Sequence, residues 1–137
     1  LGADETINYR ENPDWDKAVF ELTGGRGVDH VIEVGGPGTL PMSMNAVAAG
    51  GSIALIGVLT GFDAPEASLF PLVSRNVDLS GIYVGSRAMF ERLNEFLTEH
   101  QIHPVIGDCF SFGDAAAAYA HLESASHFGK IVISDQV

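Results

Sequence analysis

Residues 26–38 read RGVDHVIEVGGPG, and residues 49–58 read AGGSIALIGV. Each holds a short run of β-branched and aliphatic residues bounded by glycine. That composition suits a pleated, buried strand, so Val28–Val34 and Ser52–Val58 are read as strands. Ser52–Val58 is apolar at alternate positions on both faces, as an interior strand of a parallel sheet should be. Between the two, the spacing of Leu40, Met44 and Val47 predicts a helix over 39–49, closed by Gly50-Gly51. Strand, helix and strand joined by short glycine turns make a βαβ unit with parallel strands.

The pattern extends in both directions. Upstream, Thr6–Tyr9 is read as a short strand. Asn12 is placed as the cap of a helix with Pro13 at its first position, Ala18, Val19 and Leu22 inward, and Gly24-Gly25 at its end. Leu1-Gly2 is read as the tail of a helix that begins earlier, because glycine suits the left-handed residue after a helix. Downstream, Gly61–Pro71 is a loop with two prolines and Val77–Val84 is a strand. Ser86–His100 is a helix with an apolar stripe of Phe90, Leu93, Phe96 and Leu97. His103-Pro104 breaks the alternation. Then Val105–Phe112 is extended, Asp114–Ser124 is an alanine-rich helix, and Lys130–Ser134 is a last strand. A domain boundary is expected at 101–104.

The 137 residues suit one ordinary domain, and 46% hydrophobic content is enough for one core. Charged residues are only 18%, against about 25% in typical soluble domains. Some surface is therefore expected to be covered by another domain or subunit. The net charge is −11, from 18 acids and 7 bases that are dispersed along the chain. That balance excludes a phosphate-backbone partner, so no nucleic acid is expected. The single cysteine, Cys109, excludes a disulfide framework. No apolar run approaches the ~20 residues of a membrane span, and no signal peptide is recognised. A soluble cytoplasmic protein is expected.

Five segments, LGADETINYR, GGRGVDHVIEVGG, AVAAGGSIALIGVLTG, DLSGIYVGSRAMFERLNEFL and HFGKIVIS, occur in an order and spacing that resembles the medium-chain dehydrogenase/reductase family. That family includes zinc-type alcohol dehydrogenases and quinone oxidoreductases. The resemblance implies an α/β fold, a partial Rossmann doubly wound parallel sheet with strand order 3-2-1-4-5-6 in the whole domain. Thr6–Tyr9 resembles strand 3, Val28–Val34 strand 4, Ser52–Val58 strand 5 and Leu79–Val84 strand 6; strands 1 and 2 are missing. It also implies that residues 1–103 belong to the NAD(P)-binding domain. Residues 104–137 would return to the catalytic domain. Strands 3 and 4 then lack their neighbours. Either the partner strands lie outside these residues, or edges pair between copies, or strand 3 relocates. A homodimer through residues 79–84 is a further implication.

Ligands of such sheets sit at the carboxyl ends of the strands. The resemblance places Gly57 and Val58 beside a nicotinamide ring, and the backbone of Tyr83 and Val84 at its carboxamide. Val34, Gly35 and Gly36 would join the same crevice, with glycines 35, 36 and 57 giving the cofactor close approach. The plain alternative is that these glycines only make tight turns. Tyr9 would pack near the adenosine, or be a half-buried strand residue. Lys130 would lie near the cofactor phosphates, or be a solvated lysine at a strand edge. The GGPG turn at 35–38 lacks both the G-x-G-x-x-G and the P-loop pattern, and is read as a turn.

No catalytic residue is assigned. His30, His100, His103, His121 and His127 have no ligand spacing, and only His127, near Lys130, stands out. Cys109 is read as a core or strand residue. Ser43 and Ser86 lack a nucleophile setting. Glu33, inside a strand, is either a buried acid or faces a polar crevice or partner. The resemblance implies an oxidoreductase using NAD or NADP on a small-molecule alcohol, carbonyl, quinone or enone. Catalytic zinc, if used, would be bound by a missing N-terminal catalytic domain. On its own, this segment is expected to be inactive. Two other readings stay open: an S-adenosylmethionine-dependent methyltransferase-like domain, and a non-catalytic nucleotide-binding homologue.

Overall fold

The computed structural model describes residues 2–135 and divides into two compact units, Leu1–Val84 and Gly85–Val137. The first runs α1 (Trp15–Leu22), β1 (Val28–Glu33), α2 (Leu40–Ala46), β2 (Val47–Leu55), α3 (Phe70–Ser74) and β3 (Asp78–Gly81). Its sheet has the order β1-β2-β3, all parallel, with Val31 opposite Ile53 and Ile53 opposite Leu79. That is the expected sequence of strands 4, 5 and 6. The second unit runs α4 (Arg87–Glu99), β4 (Ile106–Ser111), a 3-10 turn at Phe112–Asp114, α5 (Ala115–Glu123) and β5 (Lys130–Ser134). β4 and β5 are parallel, with Cys109 opposite Val132.

The core lies in the first unit. Leu40 and Met44 from α2 meet Val47 and Ile53 from β2, with Val31, Leu72 and Val77 packed against them. Each such side chain contributes roughly 1.5–3 kcal/mol when removed from water. α1 packs against α2. There the Asn45 amide donates to the Asp16 carboxylate at 3.0 Å. Arg75 donates to the carbonyls of Asn45 (2.5 Å) and Val47 (3.0 Å), satisfying orphan acceptors where α2 turns into β2.

Several boundaries differ from the sequence reading. Thr6–Tyr9 forms no strand: no neighbouring ladder exists among the described residues, and Asn8 instead accepts the amides of Glu11 and Asn12 at 3.1 and 2.9 Å. That turn takes up Asn12, so α1 starts at Trp15 behind Asp14, and Leu22 is 52% exposed while Asp16 is buried. The helix expected to reach Ala49 stops at Ala46. Val47, fully buried, already pairs with Val28, and Gly50 at φ 72° lets the strand resume after an irregularity. β2 ends at Leu55, because the amides of Ile56 and Gly57 both turn to the Glu33 carbonyl. The last strand of this sheet is shortened to Asp78–Gly81.

The loop expected over Gly61–Pro71 holds as far as Leu69; its last two residues open α3, which tolerates Pro71 in its first turn, where no amide donor is needed. Of the Leu1-Gly2 pair, Leu1 lies outside the described residues and Gly2 has φ 94°. The division of the chain by contacts falls at Val84/Gly85. No helix among the described residues is long and apolar enough to cross a membrane.

Candidate functional site

The three parallel strands of the first unit end at Glu33, Leu55 and Gly81. At these carboxyl ends a cleft of about 440 Å³ opens. Its lining comes from the segments that follow each strand: Gly36-Pro37 after β1, Gly57-Val58 after β2 and Tyr83 after β3. The loop after β2 adds Phe62 and Asp63, and Asp63 is the one formally charged residue in the lining. The volume lies within the range of about 300–1,000 Å³ usual for small-molecule sites.

Of the residues singled out from sequence, Gly36, Gly57, Val58 and Tyr83 meet in this cleft. Val34, Gly35 and Val84 adjoin it along the chain without lining it. Tyr9 is not brought there. It sits in the turn before α1, 56% exposed, with the Arg10 guanidinium 6.0 Å from its ring centre. Lys130 belongs to the second unit, where it starts β5, is exposed, and donates its amide to the Val105 carbonyl at 2.8 Å.

Glu33 organises the turn that leads into the cleft. It is 3% exposed, so it is the buried acid of the two readings left open above. One carboxylate oxygen accepts from the amides of Gly35 (2.8 Å) and Gly36 (3.0 Å) and from the Thr39 hydroxyl (2.6 Å). The other accepts from the Ser43 hydroxyl. Burial works to raise this carboxyl's pKa. The donors Ser43, Thr39, Gly36 and Gly35 outweigh it and hold the group below the ordinary glutamate range. The first two amides of the GGPG turn therefore already carry an internal anion. That explains physically why the GGPG turn is not a phosphate loop.

Two glycines are fixed by close approach of backbone to backbone. A Cβ on Gly57 would overlap the Val34 carbonyl, and one on Gly36 (φ 91°) would lie 2.8 Å from the Gly57 carbonyl. The two turns are thus in contact with each other at the floor of the site. Thr60 braces them. Its amide and its hydroxyl both donate to the Gly35 carbonyl at 2.9 Å, and the hydroxyl accepts from the Gly38 amide at 2.7 Å. Sequence reading missed Thr60, Phe62 and Asp63, and missed Thr39 and Ser43 as partners of Glu33. The available signal was an acid inside an apolar strand with two hydroxyl residues six and ten positions on, one just before the following helix and one within it.

The other reactive residues are dispersed. Ser43 serves Glu33. The Ser86 hydroxyl caps α4 by accepting the Met89 amide at 3.3 Å. His30 meets the Ser52 hydroxyl at 2.8 Å across the sheet. His121 meets Asp108 at 3.1 Å and its ring lies 5.9 Å from that of His127. Cys109 is exposed on β4. Among the described residues, no group of three or more His, Cys, Asp or Glu is placed to hold a metal ion.

The sequence model described as zinc-binding dehydrogenase matches residues 1–133. A zinc-type alcohol dehydrogenase-like protein of Schizosaccharomyces pombe is 38% identical over 136 residues, 97% of this chain and 39% of that protein. The solved structure of an NAD-dependent alcohol dehydrogenase superposes with a TM-score of 0.84 at 32% identity, over 97% of this chain and 38% of that one. A mycobacterial protein solved in complex with NADPH superposes with a TM-score of 0.72 at 28% identity, over 96% of this chain and 44% of that one. The chain thus spans about two fifths of the length of the relatives it matches.

Proposed function

The chain belongs to the zinc-binding dehydrogenase family, and from that membership we propose that it supplies the nicotinamide side of the cofactor crevice of an NAD(P)-dependent oxidoreductase. The observation that carries the proposal is the apolar cleft at the carboxyl ends of β1, β2 and β3, floored by Gly36 and Gly57. It suits a flat ring with apolar faces: its lining is aliphatic and aromatic apart from the glycines and Asp63. The nicotinamide, when bound, carries the hydride between the cofactor and an alcohol, carbonyl, quinone or enone. This chain's part is to seat the ring between Gly57-Val58 and Tyr83, to keep water from its face, and to hold the floor rigid through Glu33. Val34, Gly35 and Val84 support that floor. Tyr9 and Lys130 are assigned to the adenosine and phosphate ends of the cofactor.

Any catalytic zinc is assigned to residues outside this segment; among the described residues no group of three or more His, Cys, Asp or Glu is placed to hold one. On the same reading, residues 1–103 belong to the nucleotide-binding domain and 104–137 return to a catalytic domain that precedes it. The open edge of β3 is assigned to a homodimer contact, and the segment alone is inactive.

The test is titration of the intact protein with NADH and NADPH, followed by nicotinamide fluorescence. Micromolar binding of one of them is expected. Val58→Trp fills the cleft from a residue that is 49% exposed, and is expected to weaken binding by about tenfold or more, equivalent to about 1.4 kcal/mol. Binding of S-adenosylmethionine with none of either dinucleotide would overturn the proposal. Dinucleotide binding without turnover of any alcohol or carbonyl would reduce it to a non-catalytic homologue.

A further inference from the structure

The geometry points to Thr60 as a positioning residue that sets the width of the cleft by clamping the turn after β1 to the turn after β2. The inference rests on the reading of the cleft as a nicotinamide site, and goes beyond it by naming what holds that site in shape.

The cleft has two turns in its floor, and they belong to different βα units. Each is internally fixed. The Glu33 carboxylate gathers the amides of Gly35 and Gly36, while the Glu33 carbonyl gathers the amides of Ile56 and Gly57 at 2.9 and 3.0 Å. Both attachments lie at the inner, strand end of the turns. At their outer end, where Pro37 and Val58 line the opening, Thr60 supplies the cross-links. Its hydroxyl is used in both directions, as donor to the Gly35 carbonyl (2.9 Å) and as acceptor from the Gly38 amide (2.7 Å). A hydroxyl is the smallest group that can do both. The fit is tight: a Cβ on Gly38 would lie 3.0 Å from the Thr60 side chain.

Thr60 and Gly38 are both exposed. If the hydroxyl is lost, the backbone bond from the Thr60 amide to the Gly35 carbonyl stays and water takes over the two side-chain bonds, so the fold loses little. What is lost is the tie that holds the Gly38 end of the first turn to the second, and a ligand must then order that end on binding. The clamp therefore acts on affinity more than on stability, which separates a positioning role from a structural one.

The experiment uses the intact protein carrying Thr60→Val, which keeps the shape and removes the hydroxyl, and Thr60→Ser, which keeps the hydroxyl. Valine is expected to raise the dissociation constant and KM of the nicotinamide dinucleotide by about five- to tenfold, a range set by the worth of one exchanged hydrogen bond. It should leave kcat within about twofold and the unfolding midpoint within about 2 °C. Serine should restore the affinity. Wild-type affinity in Thr60→Val overturns the inference, as does equal weakening by valine and serine, or a loss of affinity matched by a drop in unfolding midpoint.

Amide exchange at Gly38 gives a readout without cofactor: faster in Thr60→Val and restored in Thr60→Ser if the clamp exists, unchanged in both if it does not. A wild-type protein that binds neither NAD(H) nor NADP(H) removes the functional reading, while the exchange result still decides the clamp.

Discussion

The two units are built from the same parts, parallel strands joined through a helix, yet they hold themselves together differently. In the first, Leu40, Met44, Val47 and Ile53 are nearly or fully buried between α2 and β2. In the second, Ala118 is the only buried hydrophobic residue among those described, while Phe90, Leu93 and Phe96 on α4 stay 50–62% exposed. A βαβ path alone does not make a core. A core needs a sheet face covered by another element, and α2 supplies that cover on β2, the strand of the three with a neighbour on each side. The second unit has two strands among the described residues, both of them edges, and its apolar faces stay largely exposed. The low charge of the sequence points the same way.

The largest effect should come from truncating the middle strand. Ile53→Ala is expected to cost about 2–5 kcal/mol, since it leaves a cavity in the one packed core. The equivalent change in the second unit, Ile133→Ala, removes a side chain already 37% exposed and should cost less than about half as much. Denaturant unfolding followed by the single tryptophan, Trp15, in the first unit and by circular dichroism for both would measure the pair. Equal losses would break the contrast.

Glu33 tests whether the first unit is also held by polar groups. Glu33→Ala strands two backbone amides and two hydroxyls in the interior and should cost about 2–4 kcal/mol. Glu33→Gln should cost less, because an amide keeps one acceptor. The two differ from wild type in pH dependence as well. The folded carboxyl titrates below its unfolded value, so the folded state holds the charged form to lower pH than the unfolded chain does. Its stabilisation is fully present above the ordinary glutamate pKa of about 4.3, and is lost as pH falls through the depressed folded value. Subtracting the Glu33→Gln stability profile from the wild-type one between pH 2 and 6 should leave that acid limb. A flat difference would mean the charge contributes nothing.

What was legible in the sequence divides along the same line. Strands whose side chains carry the signal, such as VDHVIE and KIVIS, lie where periodicity and β-branching put them. So do the helices at 87–99 and 115–123. Thr6–Tyr9 failed because a strand is a relation to a neighbour, and local composition cannot report one that is absent. Val47–Ala49 failed because alanine-rich sequence favours a helix, and pairing with Val28 overrode that weak preference. Phe70–Ser74 is missed because Pro71 counts into the preceding loop, although proline is welcome in a first turn. At the site, Gly36, Gly57, Val58 and Tyr83 could be named because strand ends collect ligands. Thr60 could not: its partners lie 22 and 25 residues away, and nothing local to residue 60 distinguishes it.

The smallest effect should come from α4, and its smallness is informative. Phe90→Ser or Leu93→Asn alters a side chain that is more than or about half exposed and touches no core. In the 137-residue chain such a change should shift stability by no more than about 0.5 kcal/mol, the ordinary range for surface positions. Phe96 also packs its ring against His100 at 4.3 Å, so it is the less clean probe. If the stripe is covered in the intact protein, the same substitution there removes a buried side chain and should cost about 2 kcal/mol or more. The ratio between the two measurements reports how far the second unit depends on the rest of the protein. Equal small losses in both would mean that α4 faces water in the intact protein too, and that its apolar stripe has no cover to wait for.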